Sequence, residues 1–156
     1  MLEGFSEGAF LTVKHGDKVN TMAIGWGTFG RVWSRPVFTV MVRYSRFTHE
    51  LISEADSFTV SFPAEGKLKE ELAFCGTKSG RNLDKFKECD LKLHYIDEIE
   101  SPMLDEKGIH VACKILYKQA MDPVNLADEV DGKWYKDKDY HVIYYGEIVK
   151  TLVNII

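Results

Sequence analysis

The chain has 156 residues, of which 45% are hydrophobic and 28% are charged, and its formal net charge is −4 at pH 7. This length and composition are typical of a single globular domain, residues 1–156, that is large enough to bury a substantial core. The negative charge, with Lys and Arg mixed among acidic residues, argues against a general nucleic-acid binder, which normally carries a basic stripe.

The sequence also argues against a membrane-spanning protein and against a metal-binding protein. No apolar run approaches the roughly 20 residues that a membrane-spanning helix needs. The first eight residues, M-L-E-G-F-S-E-G, carry acids where a secretory signal has a cationic region and an apolar core. The cysteines Cys75, Cys89 and Cys113 form neither a disulfide framework nor a zinc-ligand pattern. We therefore expect a cytoplasmic protein with reduced thiols, no membrane contact and no metal site.

The first half of the chain reads as strands with one short helix. Alternation predicts a strand over 10–14, and the turn signal H-G-D predicts a hairpin with a second strand over 19–28. After Pro36, the run V-F-T-V-M-V-R predicts a strand that is buried on both faces. Thr48 then fits the N-cap of a short helix with the sequence T-H-E-L-I-S-E-A-D.

The second half continues the same pattern. Strands are predicted over 57–62, 91–96, 109–120 and 142–149, and helical segments over 65–74 and 83–89. The polar segment 122–139 is interpreted as a solvated excursion with a helical turn. Because helices do not alternate regularly with strands, the sequence predicts a mainly β protein, a β-barrel with peripheral helices, rather than a doubly wound sheet.

The segment R-Y-S-R-F-T is the strongest local signal for a ligand. It places Arg43, Ser45, Arg46 and Thr48 at the end of a strand and the start of a helix. Guanidinium groups, hydroxyls and the amides of a helix start together suit a phosphate ester. The alternative is a strand end whose arginines pair with the glutamates that follow.

The loop G-T-K-S-G-R-N, residues 76–82, is a second candidate for anion binding. It is flanked by glycines, cationic and rich in hydroxyls, so its amides could form a nest for an anion. It lacks the G-K-[ST] ending of a Walker A loop. Taken alone, it fits a solvated connector between two helices better.

The strand that contains Asn20, Thr21, Met22 and Trp26 carries amide, thioether and indole groups, which line planar heterocycles in proteins. The alternative is that these side chains alternate into the core. Together with the phosphate-type segment, the strand suggests a mononucleotide cofactor held without a dinucleotide fold. His141, at the start of the last strand, could reach its ring. We assign no catalytic residue, because no nucleophile–base–acid pattern is visible.

Four motifs in chain order resemble one known family. They are N-T-M-A-I-G-W-G, P-V-F-T-V-M-V-R-Y-S-R-F-T, F-C-G-T-K-S-G-R-N-L-D-K-F and H-V-I-Y-Y-G-E-I-V. Over about residues 10–149 the chain is similar to the flavin reductase-like, flavoredoxin-type FMN-binding proteins. The resemblance implies an FMN-binding split barrel, non-covalent FMN, and a homodimer with the cofactor near the subunit interface.

The resemblance also assigns residues to the cofactor. Those on the ring and ribityl side are Asn20, Thr21, Met22, Trp26 and His141, and those on the phosphate side are Arg43, Ser45, Arg46, Thr48, Ser79, Gly80 and Lys85.

The function implied is an oxidoreductase that passes hydride or electrons through bound FMN, with NAD(P)H or a redox protein as donor. Two alternatives remain open at this point. One is a non-enzymatic FMN-binding electron carrier or flavin store, and the other is a barrel-fold binding module that has lost the flavin.

Overall fold

The computed structural model describes residues 7–154, and strands dominate it. In chain order the strands are β1 (Ala9–His15), β2 (Lys18–Ile24), β3 (Gly27–Val32), β4 (Arg35–Arg43), β5 (Ser57–Pro63), β6 (Leu93–His94), β7 (Met103–Leu104), β8 (Gly108–Ala120) and β9 (His141–Asn154). The helices are α1 (Phe47–Ile52), α2 (Lys69–Thr77), α3 (Lys85–Glu88) and α4 (Asp128–Trp134), with a 3₁₀ turn at Pro123–Asn125. Residues 1–6 and 155–156, which the domain prediction includes, lie outside the described residues.

Seven strands form one antiparallel sheet in the order β2-β1-β5-β8-β9-β4-β3, and β6 pairs with β7 in a separate ribbon. The edge strands β2 and β3 are consecutive in the chain and are separated by only Gly25 and Trp26. Three Cα–Cα steps reach at most about 11 Å. Seven flat strands would place the edges roughly 29 Å apart. The sheet is therefore rolled into a split barrel, and we call the line where β2 meets β3 the seam.

The inside of the barrel is a continuous apolar core. Alternating side chains of the strands fill it, among them Leu11, Val40, Phe58 and Val60, all fully buried. Gly146 of β9 lies where a Cβ would come within 2.6 Å of the Phe58 ring, so the barrel leaves no room for a larger residue there. The mainly β barrel fold with peripheral helices is confirmed.

Two expectations about secondary structure are wrong at the seam and at α1. The strand expected over 19–28 is two strands, because the chain leaves one edge of the sheet at Gly25 and joins the other at Gly27. The cap of α1 is Arg46, in an extended conformation and without a side-chain cap bond. Thr48 does not cap, since its hydroxyl is buried and accepts a hydrogen bond from Nδ2 of Asn20 at 2.9 Å.

Smaller differences concern the segments between β5 and β8. The helix expected over 65–74 begins only at Lys69, after Leu68 in a left-handed conformation, and runs on to Thr77. The strand expected over 91–96 is reduced to the two residues of β6. No helix within residues 7–154 is long and apolar enough to cross a bilayer.

Candidate functional site

A cavity of about 220 Å³ opens at the seam. The end of β2 and the Gly25–Trp26 link form one wall, and β4 and β9 supply Met41 and His141 from the other side. Trp134, the last residue of α4, also lines it. We call this space the ring cavity, because its walls are mostly apolar and aromatic.

Three aromatic side chains that line the ring cavity pack against one another. The centroid of the Trp26 ring lies 4.9 Å from that of Trp134, with an angle of 85° between the planes. The Trp26 ring also lies 5.4 Å from the His141 imidazole. Aromatic surfaces of this kind suit a flat, conjugated ligand such as a heterocycle.

His141 is a neutral imidazole in this setting. It is 7% exposed, and its Nδ1 lies 2.7 Å from the hydroxyl of Tyr135. Burial lowers the pKa of His141 to about 4, the Arg43 and Arg46 guanidiniums act in the same direction, and Asp139 opposes them. The ring therefore carries no charge near neutral pH, and one of its two nitrogens is available to the cavity.

A second, smaller cavity of about 90 Å³ adjoins the first through Met22 and Arg46, which line both. The start of α1 and the loop after α2 form its walls. Its cationic side chains are Arg46, Lys78, Arg81 and Lys85. Among the described residues, no Asp or Glu lines it. We call this space the cation cavity, since its lining favours an anion.

Arg46 is the cation best placed to reach a ligand. It is exposed, it lines both cavities, and its guanidinium has no hydrogen bond or ion pair to any residue of 7–154. Arg81, in contrast, is engaged: its Nε donates to Glu50 at 2.8 Å, and Nη1 donates to the carbonyl of Ser45 at 3.2 Å. The partnerless guanidinium can therefore bind an anion without first giving up a protein contact.

Lys85 supplies a buried positive charge to the cation cavity. It is 4% exposed, and its Nζ donates to the carbonyls of Thr21 at 2.8 Å and Cys75 at 2.7 Å. Burial lowers the pKa of this ammonium group. Since an ammonium group carries three N–H donors, one donor remains beyond the two carbonyls.

The floor of the cation cavity is a close contact between Asn20, Thr48 and Gly80. The Asn20 amide is buried and bonds to Thr48, and a Cβ on Gly80 would overlap it. Glycine at position 80 therefore lets the loop approach β2. Ser79 lines the same cavity, and its Oγ accepts a bond from the Arg81 amide at 3.3 Å.

Three of the residues expected at the cofactor have other contacts. The Thr21 hydroxyl lies in the core, where it donates to the Leu11 carbonyl at 3.3 Å, and its side chain lines neither cavity. Arg43 lines the ring cavity but donates to the carbonyls of Trp134 at 2.8 Å and Asp139 at 2.9 Å. Ser45 donates from its hydroxyl to the Asp139 carboxylate, and it also lines the cation cavity.

The structure thus gathers eleven of the twelve expected residues into two adjoining groups. Those that line the ring cavity, the cation cavity or both are Asn20, Met22, Trp26, Arg43, Ser45, Arg46, Thr48, Ser79, Gly80, Lys85 and His141, which leaves Thr21 contributing its backbone carbonyl to Lys85.

Trp134 and Tyr135 were not anticipated from the sequence. The segment 122–139 reads as a solvated face, because acids and lysines dominate it. Two aromatic residues next to each other at the end of a helical pattern were the available signal, since a fully solvated helix rarely carries them.

Cys75, which lines the cation cavity, is an unreactive thiol, because burial raises its pKa to about 12. No cluster of His, Cys, Asp and Glu within residues 7–154 could hold a metal ion.

Comparison with known proteins places the chain in a family. Residues 6–154 match the model of the family described as "Flavin reductase like domain". An uncharacterized protein of Archaeoglobus fulgidus is 28% identical over 107 residues, which are 69% of this chain and 59% of that protein. The chain therefore spans less than two thirds of the length of this relative.

Solved structures share the fold. The flavoredoxin from Methanosarcina acetivorans superposes with a TM-score of 0.73 at 24% identity, covering 94% of this chain and 68% of that one. An FMN-binding protein from Thermus thermophilus gives a TM-score of 0.72 at 23% identity, covering 94% and 69%. The resemblance found in the sequence motifs is confirmed, and the chain belongs to the flavin reductase-like domain family.

Proposed function

We propose that the protein binds FMN non-covalently across the ring cavity and the cation cavity, and that it is an FMN-dependent oxidoreductase of the flavin reductase-like or flavoredoxin-like type. One observation carries this proposal. A cavity lined by four cationic side chains and by none of the acidic residues described adjoins a cavity lined by aromatic rings. A phosphate ester attached to a planar heterocycle has the matching distribution of charge and shape.

At the phosphate end, Arg46 would supply the first charge-assisted hydrogen bonds, since its guanidinium is free of protein partners. The loop that contains Ser79 and Gly80 adds a hydroxyl and backbone amides, and Lys85 adds its third N–H. A phosphate monoester carries nearly two negative charges near neutral pH and therefore fits several cations better than one. These residues hold and orient the ligand.

At the ring end, Trp26, Trp134 and His141 would shield the heterocycle from water on the sides that they cover. When bound, the flavin supplies the hydride or electron transfer itself. The residues of this chain contribute binding, orientation and a neutral hydrogen-bonding group at His141. The proposed donor is NAD(P)H or a reduced redox protein.

A homodimer is part of the proposal, because the ring cavity opens towards an uncovered aromatic surface. Phe29 and Trp33 are 52% and 56% exposed, and a groove of about 600 Å³ beside Phe29 shares Trp26 with the ring cavity. A second copy on this surface would cover it and add a wall to the site. We expect a dimer in sedimentation equilibrium at micromolar concentration; a monomer at every concentration would contradict this part of the proposal.

Replacement of Arg46 by alanine tests the phosphate assignment. Loss of a charge-assisted hydrogen bond should weaken FMN binding by roughly 1.5–3 kcal/mol, about 10- to 150-fold in Kd, in a fluorescence titration. Riboflavin, which lacks the phosphate, should lose much less affinity for the Arg46→Ala variant than FMN does, since Arg46 also lines the ring cavity. The substitution removes no helix cap bond, since the Arg46 side chain makes none.

Arg31→Ala is the matched control for this titration. Arg31 is an exposed arginine on β3 that lines neither the ring cavity nor the cation cavity, so its replacement removes the same formal charge from another surface. It should leave the FMN affinity within twofold at moderate ionic strength, roughly the size of a screened surface effect. An equal loss of FMN affinity in both variants, or no loss in Arg46→Ala, would contradict the assignment of the phosphate to the cation cavity.

The redox activity is tested with the FMN-loaded protein. Under air, the holoprotein should oxidise NADH or NADPH over many turnovers, faster than the same concentration of free FMN does. The absorbance at the reduced nicotinamide band follows the reaction. Bound flavin that dithionite bleaches but neither nicotinamide nucleotide reduces would contradict a nicotinamide-linked reductase and favour a protein-linked carrier.

A further inference from the structure

Tyr135 is held rigidly against His141. It directly follows α4, is 1% exposed, and places its hydroxyl 2.7 Å from Nδ1 of the imidazole. The Tyr140 ring stacks on it at a centroid distance of 5.0 Å, and the Arg43 guanidinium lies 5.1 Å from its centroid on a face. These contacts fix the ring, so the hydroxyl cannot turn to another partner without disturbing the end of α4.

The hydrogen bond between the two residues can be made in two ways. Either the hydroxyl donates to Nδ1, and the imidazole proton sits on Nε2, or Nδ1–H donates to the hydroxyl oxygen. In the second arrangement the phenolic proton needs a further acceptor. Within residues 7–154 the Tyr135 hydroxyl has no partner besides His141. Because an unpaired donor is strongly disfavoured in a buried position, the first arrangement prevails.

The other ring nitrogen, Nε2, is the one left for the ring cavity. His141 lines that cavity, and Nε2 has no hydrogen-bond partner among the described residues. It also retains solvent contact, because none of the fully buried side-chain nitrogens and oxygens described lacks a partner. Whatever proton Nε2 carries is therefore presented to a ligand.

We propose that Tyr135 is a positioning residue: its hydroxyl donates to Nδ1 of His141 and holds the imidazole as the Nε2–H tautomer, which presents an N–H donor to the ring cavity. The ligand partner is then a hydrogen-bond acceptor, a carbonyl oxygen or an aromatic nitrogen. In naming that partner as part of a flavin or of its co-substrate, the inference rests on the proposed function.

Because the His141 imidazole is neutral, its tautomer decides whether the ring cavity faces a hydrogen-bond donor or an acceptor. Burial and the two arginines Arg43 and Arg46 keep the pKa of His141 at about 4, and the Asp139 carboxylate only partly offsets them. A charged imidazole would donate from both nitrogens, whereas a neutral one donates from a single nitrogen. The partner on Nδ1 therefore determines whether the cavity faces a donor or an acceptor.

The tautomer can be read directly from ¹⁵N spectra of the apoprotein labelled at histidine, near pH 7.5. The chain has five histidines, and the His141→Gln variant identifies the resonances of His141. We expect a protonated Nε2 and an unprotonated Nδ1 in the wild type. A protonated Nδ1 would overturn the proposal, and this wild-type spectrum decides that point without any variant of Tyr135.

Tyr135→Phe removes only the hydroxyl, and Tyr140→Phe is its matched control. The Tyr140 hydroxyl donates to Asp131 at 2.7 Å and does not contact the imidazole. We expect the His141 resonances of Tyr135→Phe to move towards the averaged positions of two mixed tautomers, and those of Tyr140→Phe to stay at the wild-type positions. A pure Nε2–H tautomer in Tyr135→Phe would show that another group sets it and would overturn the role of Tyr135.

FMN titration then tests the donor to the ligand. Tyr135→Phe should bind FMN about twofold more weakly than Tyr140→Phe does, because the ligand must select the Nε2–H form from a roughly equal mixture of tautomers. Equal affinities would overturn the assignment of FMN as the acceptor. If the wild type does not bind FMN, the proposed function fails, whereas the tautomer in the apoprotein is established or overturned independently by the spectra.

Discussion

The two-residue link of Gly25 and Trp26 is the constraint on which the rest of the structure depends. It joins the two outermost strands of a seven-stranded sheet, so the sheet must curve until its edges lie within about 11 Å of each other. A closed barrel has no free edges, but here β2 and β3 meet without pairing. The ring cavity opens along this seam, and the link itself forms part of its wall. The fold and the site therefore have a single geometric origin.

Cations hold the surrounding segments against the barrel. Arg43 bonds the backbone at Trp134 and Asp139, which brings the end of α4 over the ring cavity. Lys85 bonds the carbonyls of Thr21 and Cys75, which ties α3 to β2 and to α2. Arg81 is paired with Glu50. Arg46 and Lys78, whose side chains bond to no described residue, are the cations left for a ligand. Whether a cationic side chain stabilises the fold or is available to a ligand therefore depends on the protein groups within its hydrogen-bonding distance.

Much of the fold was predictable from local patterns, and the exceptions have physical reasons. Strands such as β5 and β8 follow from alternation and bounding turn residues, and their predicted positions agree with the structure within about one residue. The break between β2 and β3 was missed because Trp26 and Thr28 continue the alternation of the preceding strand. A sheet that rolls up is a property of strand order, and strand order depends on contacts between residues far apart in the chain.

The candidate site was likewise predictable where it depends on local sequence and not where it depends on distant contacts. The motifs identified the segment between β4 and α1 that carries Arg46, and the glycine loop, since charge and hydroxyl content are visible locally. They did not show that Arg43 is bound by the 134–139 segment or that Trp134 reaches the ring cavity. Both facts depend on how an excursion of the chain folds back over β4. Tyr135 lines neither cavity and reaches the site through its contact with His141, six positions further along the chain.

A crystal structure of the protein with FMN tests the central claim most directly, because it locates both ends of the ligand at once. The account predicts the heterocycle in the ring cavity beside Trp26 and His141, and the phosphate within hydrogen-bond distance of Arg46 and the loop at Ser79 and Gly80. A flavin bound away from the seam, or a phosphate that points out of the cation cavity, would contradict it.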